Sequence, residues 1–111
     1  MCRLLGYVAR EERSIPQFVG LNFNQFLKLS EVHRDGWGIA RNDGHQTTLM
    51  KAAETANASS NFATAIAYKS KSALLHFRWA TPGLGIEDAN SHPFSQGDIS
   101  FIHNEIGRAH V

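Results

Sequence analysis

Apolar and polar positions along the chain predict a mixture of strands and helices. Residues Cys2–Ala9 form a short apolar run suited to a buried strand, and the charged segment Arg10–Ser14 is expected to be a loop. From Pro16 to about Ser30, apolar residues recur at roughly helical spacing, and proline is acceptable in the first turn of a helix. The chain is therefore predicted to begin with a strand followed by a helix.

The middle of the chain is predicted to form a hairpin and a second helix. The segments Trp37–Arg41 and Thr47–Ala52 flank an Asn42-Asp43-Gly44 turn, which is a strong hairpin signal. Residues Asn57–Lys71 are rich in alanine and carry apolar residues at helical spacing, with Asn57 or Ser59 as the N-cap.

The last part of the chain alternates between strand and loop patterns. Ser72–Ala80 is predicted to be a strand, Thr81–Gly97 a loop, and Asp98–His103 a final strand. The resulting order is strand, helix, hairpin, helix, strand, strand, without regular βαβ alternation. It indicates a single α+β domain.

Composition and charge restrict the class of function. Of the 111 residues, 42% are hydrophobic, and the formal charge is +1 with no basic stretch, so no nucleic-acid partner is predicted. No apolar run approaches the roughly 18 residues of a membrane span, and charged residues interrupt any signal-peptide core. One cysteine cannot form an internal disulfide and fits a reducing compartment, so we expect a cytoplasmic protein without membrane contact.

The single cysteine, Cys2, directly follows the initiator Met1. If Met1 is removed, a thiol and a free α-amino group lie on the same residue. That amine has an unperturbed pKa of about 7.7–8.0, so near neutral pH it can accept the thiol proton and activate the nucleophile. A lone cysteine is more often a small buried hydrophobe, and its position alone leaves both interpretations open.

Two strand ends carry further candidate groups. Arg78 lies near the end of the predicted strand before a Thr-Pro-Gly loop, where its guanidinium could bind a carboxylate or form a surface salt bridge. Its neighbour Trp79 is expected to be core on pattern alone. Asn104 follows the last strand, and one oxyanion donor of this kind is typically worth about 2.7–4 kcal/mol of barrier.

The six histidines are scattered without paired metal-ligand spacing, so no metal site is predicted. A metal-dependent hydrolase built from His33, His92 and His103 stays open as an alternative that chelators would reveal. The segment His33–Gly38 is expected to be a tight structural loop beside the site. In Asn90-Ser91-His92, local hydrogen bonding and space filling are at least as good an interpretation as catalysis.

Five short stretches, in this order, resemble the class II glutamine amidotransferases, a family of N-terminal nucleophile (Ntn) hydrolases. They are Met1–Gly6 (MCRLLG), Asp35–Gly38 (DGWG), Phe77–Thr81 (FRWAT), Asn90–Phe94 (NSHPF) and Phe101–Asn104 (FIHN). The Asp-Gly-Trp-Gly stretch is most similar to the stand-alone bacterial branch, which includes the ergothioneine-pathway amidohydrolase and relatives of glutathione-degrading enzymes.

The resemblance implies a mechanism and a fold. Cys2 would be the nucleophile, forming a γ-glutamyl thioester, and Asn104 would supply half of the oxyanion hole. Arg78 would bind the α-carboxylate of glutamine or of a γ-glutamyl compound, and Trp79 and Thr81 would complete the substrate-binding set. The fold would be a four-layer αββα sandwich that needs no metal or organic cofactor. A catalytically silent γ-glutamyl-binding or interaction scaffold of the same fold is the alternative.

The sequence departs from the family pattern after Asn104. Glu105 stands where the family has a glycine, and the family domain continues for about as long again. The stretch Glu105–Val111 can be encoded by a string that, except for its first base, matches the start of a common sequencing adapter. We therefore expect residues 1–104 to be the N-terminal portion of the domain, an incomplete sandwich inactive as written, and residues 105–111 to be a non-native tail.

Overall fold

A four-stranded antiparallel sheet is the centre of the structure, a computed structural model that describes residues 2–42, 46–79 and 92–103. The elements are β1 (Arg3–Arg13), α1 (Ile15–Val19), α2 (Phe23–Lys28), β2 (Gly36–Asn42), β3 (Thr47–Ala52), α3 (Ser60–Ala67), β4 (Ser70–Arg78), β5 (Phe94–Gln96) and β6 (Ile99–Phe101). Short 3-10 turns lie at Gly20–Asn22, Leu29–Glu31 and Ala56–Ala58. No helix within the described segments has the length and hydropathy needed to cross a membrane.

The sheet has the strand order β1-β4-β2-β3, so β4 is flanked on both sides. Arg3 on β1 pairs with Phe77, and Gly36 on β2 pairs with Arg78. The predicted hairpin is confirmed as β2 and β3, although the turn residues 43–45 lie outside the described residues. β2 begins at Gly36, which confirms the strand predicted from Trp37 and makes the tight loop expected over His33–Gly38 wrong for its last three residues. The register places the end of β4 between the starts of β1 and β2.

The predicted loop at Arg10–Ser14 is wrong for its first four residues, because β1 continues to Arg13. After an irregularity in the pairing, Arg13 lies opposite Ser70, and the Tyr7 hydroxyl donates to the Arg13 carbonyl at 2.6 Å. This segment is at the sheet edge with its charged side chains exposed. Charges are common on exposed edge strands, so they did not imply a loop here.

The single helix predicted from Pro16 to Ser30 is instead two short helices. Ser14 caps α1 in a capping box with Gln17, and Pro16 lies in the first turn as expected. Gly20 then adopts φ of +75°, a conformation that interrupts α-helical geometry and that glycine reaches without steric cost. The apolar spacing therefore located the helical segment but not its break.

The second predicted helix is confirmed as α3, with Ser59 as its N-cap. The Ser59 hydroxyl accepts from the backbone N–H of Phe62 at 3.1 Å. The helix ends at Ala67, and Lys71, expected to be helical, lies in β4. Tyr68 has extended backbone angles and therefore ends the helix.

The helices cover one face of the sheet and form the hydrophobic core with it. The larger buried members are Tyr7, Ile15, Phe23, Trp37, Ile39, Phe62, Leu75 and Phe77. Phe62 packs edge-on against Trp37, with ring centroids 5.3 Å apart, and Phe26 lies 5.1 Å from Phe77. These aromatic contacts fix the helices against the odd-numbered positions of β4.

The β5–β6 hairpin lies on the opposite face of the sheet. Asn42 and Thr47 both donate to the Asp98 carbonyl, and the Lys51 ammonium donates to the Pro93 carbonyl at 3.5 Å. β6 confirms a final strand, whereas β5 shows that the expected loop Thr81–Gly97 was wrong for residues 94–96. Helices, sheet and hairpin make the fold α+β, and they accord with three successive layers of an αββα sandwich.

Candidate active site

Cys2 lies beside the end of the central strand. The pairing of Arg3 with Phe77 brings Cys2 next to Arg78, and its Sγ is 3.9 Å from the Trp79 carbonyl oxygen. The Cys2 side chain is only 3% exposed, and its own carbonyl accepts from the Arg3 guanidinium at 3.2 Å. The fold thus joins two sequence motifs, 77 residues apart, at one strand end.

Arg78 is buried rather than a surface residue. Only 3% of it is exposed, which makes the alternative of a surface salt bridge wrong. Its carbonyl accepts from the Asp35 backbone N–H at 2.9 Å, which anchors the Asp35–Gly38 stretch against the end of β4. A buried guanidinium costs considerable free energy unless anionic or polar groups compensate it, so this strand end must be a polar environment.

Trp79 is 48% exposed, so the expectation that it belongs to the core was wrong. One edge contacts the buried His33, whose ring centroid lies 5.5 Å away in a perpendicular arrangement. A cavity of about 370 Å³ is lined by Trp79 together with Glu31, Val32, Arg34 and Asp35. Trp79 thus lines this cavity and, through its backbone carbonyl, contacts the cysteine sulfur, while Cys2 and Arg78 are not among the lining residues.

A second, larger cavity of about 410 Å³ lies farther along the hairpin side of the sheet. It is lined by Gly6, Val8, Leu74 and Ser100 among others, and it is predominantly apolar. The chemistry of Cys2 and Arg78 is at the other end of β4, so the smaller cavity is the better candidate for substrate.

Three histidines that are distant in sequence, His76, His92 and His103, come together on the hairpin side of the sheet near Arg78. The rings of His76 and His92 are stacked at 4.2 Å, and His103 lies 4.3 Å from His92. Burial is the main cause that lowers the pKa of His76 to about 4 and the pKa of His92 to about 3. The positive charge of Arg78 lowers the pKa of both rings further. Both rings are therefore neutral at neutral pH.

Two predicted site residues, Thr81 and Asn104, lie outside the described residues, as do Asn90 and Ser91. Their predicted roles stay predictions. His92, which was expected to fill space in a turn, is buried and contacts the sheet directly. Sequence reasoning missed His76; the available signal was a histidine inside an otherwise apolar strand, LLHFRW.

The described segments contain no group of three or more His, Cys, Asp or Glu side chains arranged to hold a metal ion. Of the three histidines in the metal-hydrolase alternative, His92 and His103 are close together, while His33 packs on Trp79. The Nδ1 atom of His92 already accepts a hydrogen bond from the His103 backbone. The geometry therefore gives that alternative no support.

Comparison with protein families matches residues 1–108 to glutamine amidotransferases class-II. The chain belongs to the class II glutamine amidotransferases. A search of curated proteins gave no match to this amidotransferase. The family membership confirms the resemblance carried by the five sequence stretches, and with it a general amidotransferase function. It also supports the assignment of the helix, sheet and hairpin layers to an Ntn-type sandwich.

Proposed function

We propose that the full-length protein cleaves the side-chain amide of glutamine, or of a related γ-glutamyl compound, with Cys2 as its nucleophile. The observation that carries the proposal is the contact between Cys2 Sγ and the Trp79 carbonyl, which sets the thiol beside Arg78. A nucleophile and a buried cation at one strand end suit a substrate that has a carboxylate and an amide.

The reaction requires Cys2 to be the first residue, so Met1 must be removed. The free α-amine then accepts the thiol proton, and the sulfur attacks the γ-carbonyl carbon to give a tetrahedral oxyanion. Collapse of this intermediate breaks the carbon–nitrogen bond, and the α-ammonium returns the proton to the departing ammonia. Water, activated by the same amine, attacks the thioester carbonyl carbon. Glutamate is released and the thiol is restored.

Substrate recognition is assigned to Arg78 and the neighbouring cavity. The guanidinium offers a planar fork that matches the α-carboxylate, and its burial strengthens that interaction. The cavity of about 370 Å³ is within the size range of small-molecule sites. Trp79 supplies an apolar wall for the methylene groups of the substrate, and Thr81 is expected to assist.

The oxyanion is assigned to the side-chain amide of Asn104, which follows β6 and His103 in the sequence. Loss of one such donor typically lowers kcat by about 10²–10³-fold. We expect the enzyme to act in the cytoplasm, because a single cysteine used as a free thiol fits a reducing compartment.

The test is the intact mass of the protein after treatment with a γ-electrophilic glutamine analogue. We expect one adduct, located on Cys2 by peptide mapping, and none in Cys2→Ala. Arg78→Lys is a matched variant that keeps the charge but loses the planar fork, and it should slow labelling at low analogue concentration. Absence of an adduct on a folded protein whose Met1 has been removed would refute the proposal.

The intact mass of the same sample also distinguishes the proposed enzyme from a catalytically silent scaffold, because it shows whether Met1 is retained. A purified protein that retains Met1 would have its α-amine on the wrong residue, which would favour the scaffold. Activity that chelators abolish would instead favour the metal-dependent alternative. We expect Met1 to be absent and chelators to have no effect.

A further inference from the structure

Both backbone polar groups of His103 are hydrogen-bonded to imidazole rings. The Nε2 atom of His76 lies 3.2 Å from the His103 carbonyl oxygen, and the His103 backbone N–H donates to Nδ1 of His92 at 3.3 Å. β6 ends at Phe101, so residue 103 is beyond the paired part of the hairpin. Two side chains therefore take over the role that strand pairing performs elsewhere.

These hydrogen bonds determine the tautomer of each ring. A carbonyl oxygen only accepts, so His76 must carry its proton on Nε2. A backbone N–H only donates, so Nδ1 of His92 must be unprotonated, and neutral His92 carries its proton on Nε2. The two rings lie parallel within 9° and are almost fully buried, which favours this neutral pair.

The surrounding backbone holds the pair in place. A Cβ atom on Gly38 would lie 1.7 Å from the His92 carbonyl oxygen and 2.6 Å from the ring of Pro93. Gly38 pairs with His76 across β2 and β4, so the His92–Pro93 segment rests on the sheet directly beside His76. On its other side, His92 contacts Phe94 at 4.5 Å. The position of the His92 ring is thus fixed from two sides.

We propose that His76 and His92 form a backbone clamp on residue 103 that orients Asn104 for catalysis, which makes both histidines positioning residues. This inference rests on the proposed function, in which Asn104 stabilises the oxyanion. The clamped carbonyl belongs to the peptide group that leads from His103 to Asn104. Both clamped groups, the N–H and the carbonyl, belong to the residue that directly precedes Asn104, so the clamp holds the last described position of the chain before it.

Catalysis tolerates only a small displacement of the groups that act on the substrate, and this determines the expected effect of losing the clamp. A displacement of about 1 Å in a positioned group can lower the rate by about 10²-fold. Neither histidine is expected to touch the substrate, because His76 is completely buried within the sheet and His92 is covered by the hairpin. Loss of the clamp should therefore lower kcat and leave KM nearly unchanged.

Paired amide substitutions in the full-length protein with Met1 removed test the clamp. Gln places its amide nitrogen near the position of histidine Nε2, and Asn places its amide oxygen near that of Nδ1. His76→Gln and His92→Asn therefore keep the needed donor and acceptor, whereas His76→Asn and His92→Gln move them. We expect the first two to retain kcat within about threefold and the second two to lose about tenfold or more.

A purely structural role would lower the folded fraction of all four variants without separating kcat within each pair, and that result would overturn the proposal. Imidazole ¹⁵N NMR of the wild-type protein supplies a readout that does not depend on activity. We expect both rings to be Nε2–H tautomers and the amide hydrogen of residue 103 to exchange slowly. An Nδ1–H tautomer at either ring would also overturn the proposal.

The same measurements separate failure of the clamp from failure of the proposed function. An active wild-type enzyme whose paired variants have equal kcat refutes the clamp alone. A folded, Met1-free wild-type protein that neither hydrolyses glutamine nor reacts with the γ-electrophile refutes the proposed function, and the positioning role with it.

Discussion

The two faces of the central sheet are both buried, but their chemistry differs. On the helix side, alternate residues of β4 are Ala73, Leu75 and Phe77, and they pack among aromatic and aliphatic side chains. On the hairpin side, the same strand presents His76 and Arg78, both almost completely buried. One strand thus contributes to an apolar core with one face and to a polar, nitrogen-rich layer with the other.

The difference indicates that the helix-side face mainly stabilises the fold, whereas the hairpin-side face mainly carries functional groups. Apolar burial stabilises the fold at about 25 cal/mol per Å² and requires no specific partner. Buried imidazole and guanidinium groups cost free energy unless they are hydrogen-bonded or paired, and Nδ1 of His76 has no hydrogen-bond partner among the residues that the structure describes. A sheet face with such groups, next to the thiol of Cys2, is better explained by a functional requirement than by stability.

The largest expected effect on stability comes from truncating a large side chain on the apolar face of β4. Phe77→Ala should lower the free energy of unfolding by about 3–5 kcal/mol, because it leaves a cavity between the sheet and the helices. Leu74→Ala, in the same strand but on the other face, is the matched variant. Leu74 borders a cavity of about 410 Å³ and is only partly buried, so its truncation should cost less. Urea denaturation of both variants measures the difference, and equal losses would contradict the distinction between the faces.

The next effect concerns the contact between the sheet and the hairpin. Gly38→Ala should lower the free energy of unfolding by about 2–3 kcal/mol, since the new methyl group would overlap the His92 backbone. Gly6→Ala is the control, because its Cβ would meet only the end of the Leu74 side chain at 3.1 Å, which can move. Thermal denaturation should separate the two variants clearly. A stable Gly38→Ala protein would mean that the hairpin does not rest on this glycine.

A third expected effect, which develops gradually with pH, is the pH dependence of stability. The pKa values of His76 and His92 are lowered to about 4 and about 3 on folding, so the unfolded chain binds more protons below about pH 6.5. Stability should therefore be greatest above pH 6.5 and should fall as the pH decreases from 6.5 toward the lowered pKa values, about 4 for His76 and about 3 for His92.

The charges of His103 and Arg78 lower the pKa values of both rings, His33 lowers that of His76, and His76 and Lys51 lower that of His92. The hydrogen bond to the His103 carbonyl acts in the opposite direction and raises the pKa of His76. His76→Gln removes one titrating group while retaining the donor to the His103 carbonyl. Its denaturation midpoint should depend less on pH between 6 and 4 than that of the wild-type protein. An unchanged pH dependence would contradict the burial of a neutral His76.

Local sequence signals predicted the presence of helices and strands better than the residues at which they begin and end. The hairpin of β2 and β3 and the N-cap Ser59 could be predicted because turn and capping chemistry depend on neighbouring residues. The extension of β1 to Arg13 could not, because it depends on pairing with the distant Ser70. Such tertiary effects override local propensity. The break at Gly20 had a local signal, the glycine itself, which the apolar spacing did not reveal.

The candidate site was predicted in part for the same reason. Cys2 and Arg78 were recognised from their positions in motifs, and the fold brings them to one strand end. The stacking of His76 on His92 could not be predicted, because these residues are 16 positions apart and meet only through the contact of the hairpin with Gly38. Nothing in the local pattern of either segment indicates the other as its partner.

The most direct test of the account is a crystal structure of the full chain, without Met1, after reaction with a γ-electrophilic glutamine analogue. The account predicts a covalent bond from Cys2 Sγ to the γ-carbon, with the α-carboxylate of the analogue paired to the Arg78 guanidinium. An adduct on any other residue, or an α-carboxylate bound away from Arg78, would contradict it.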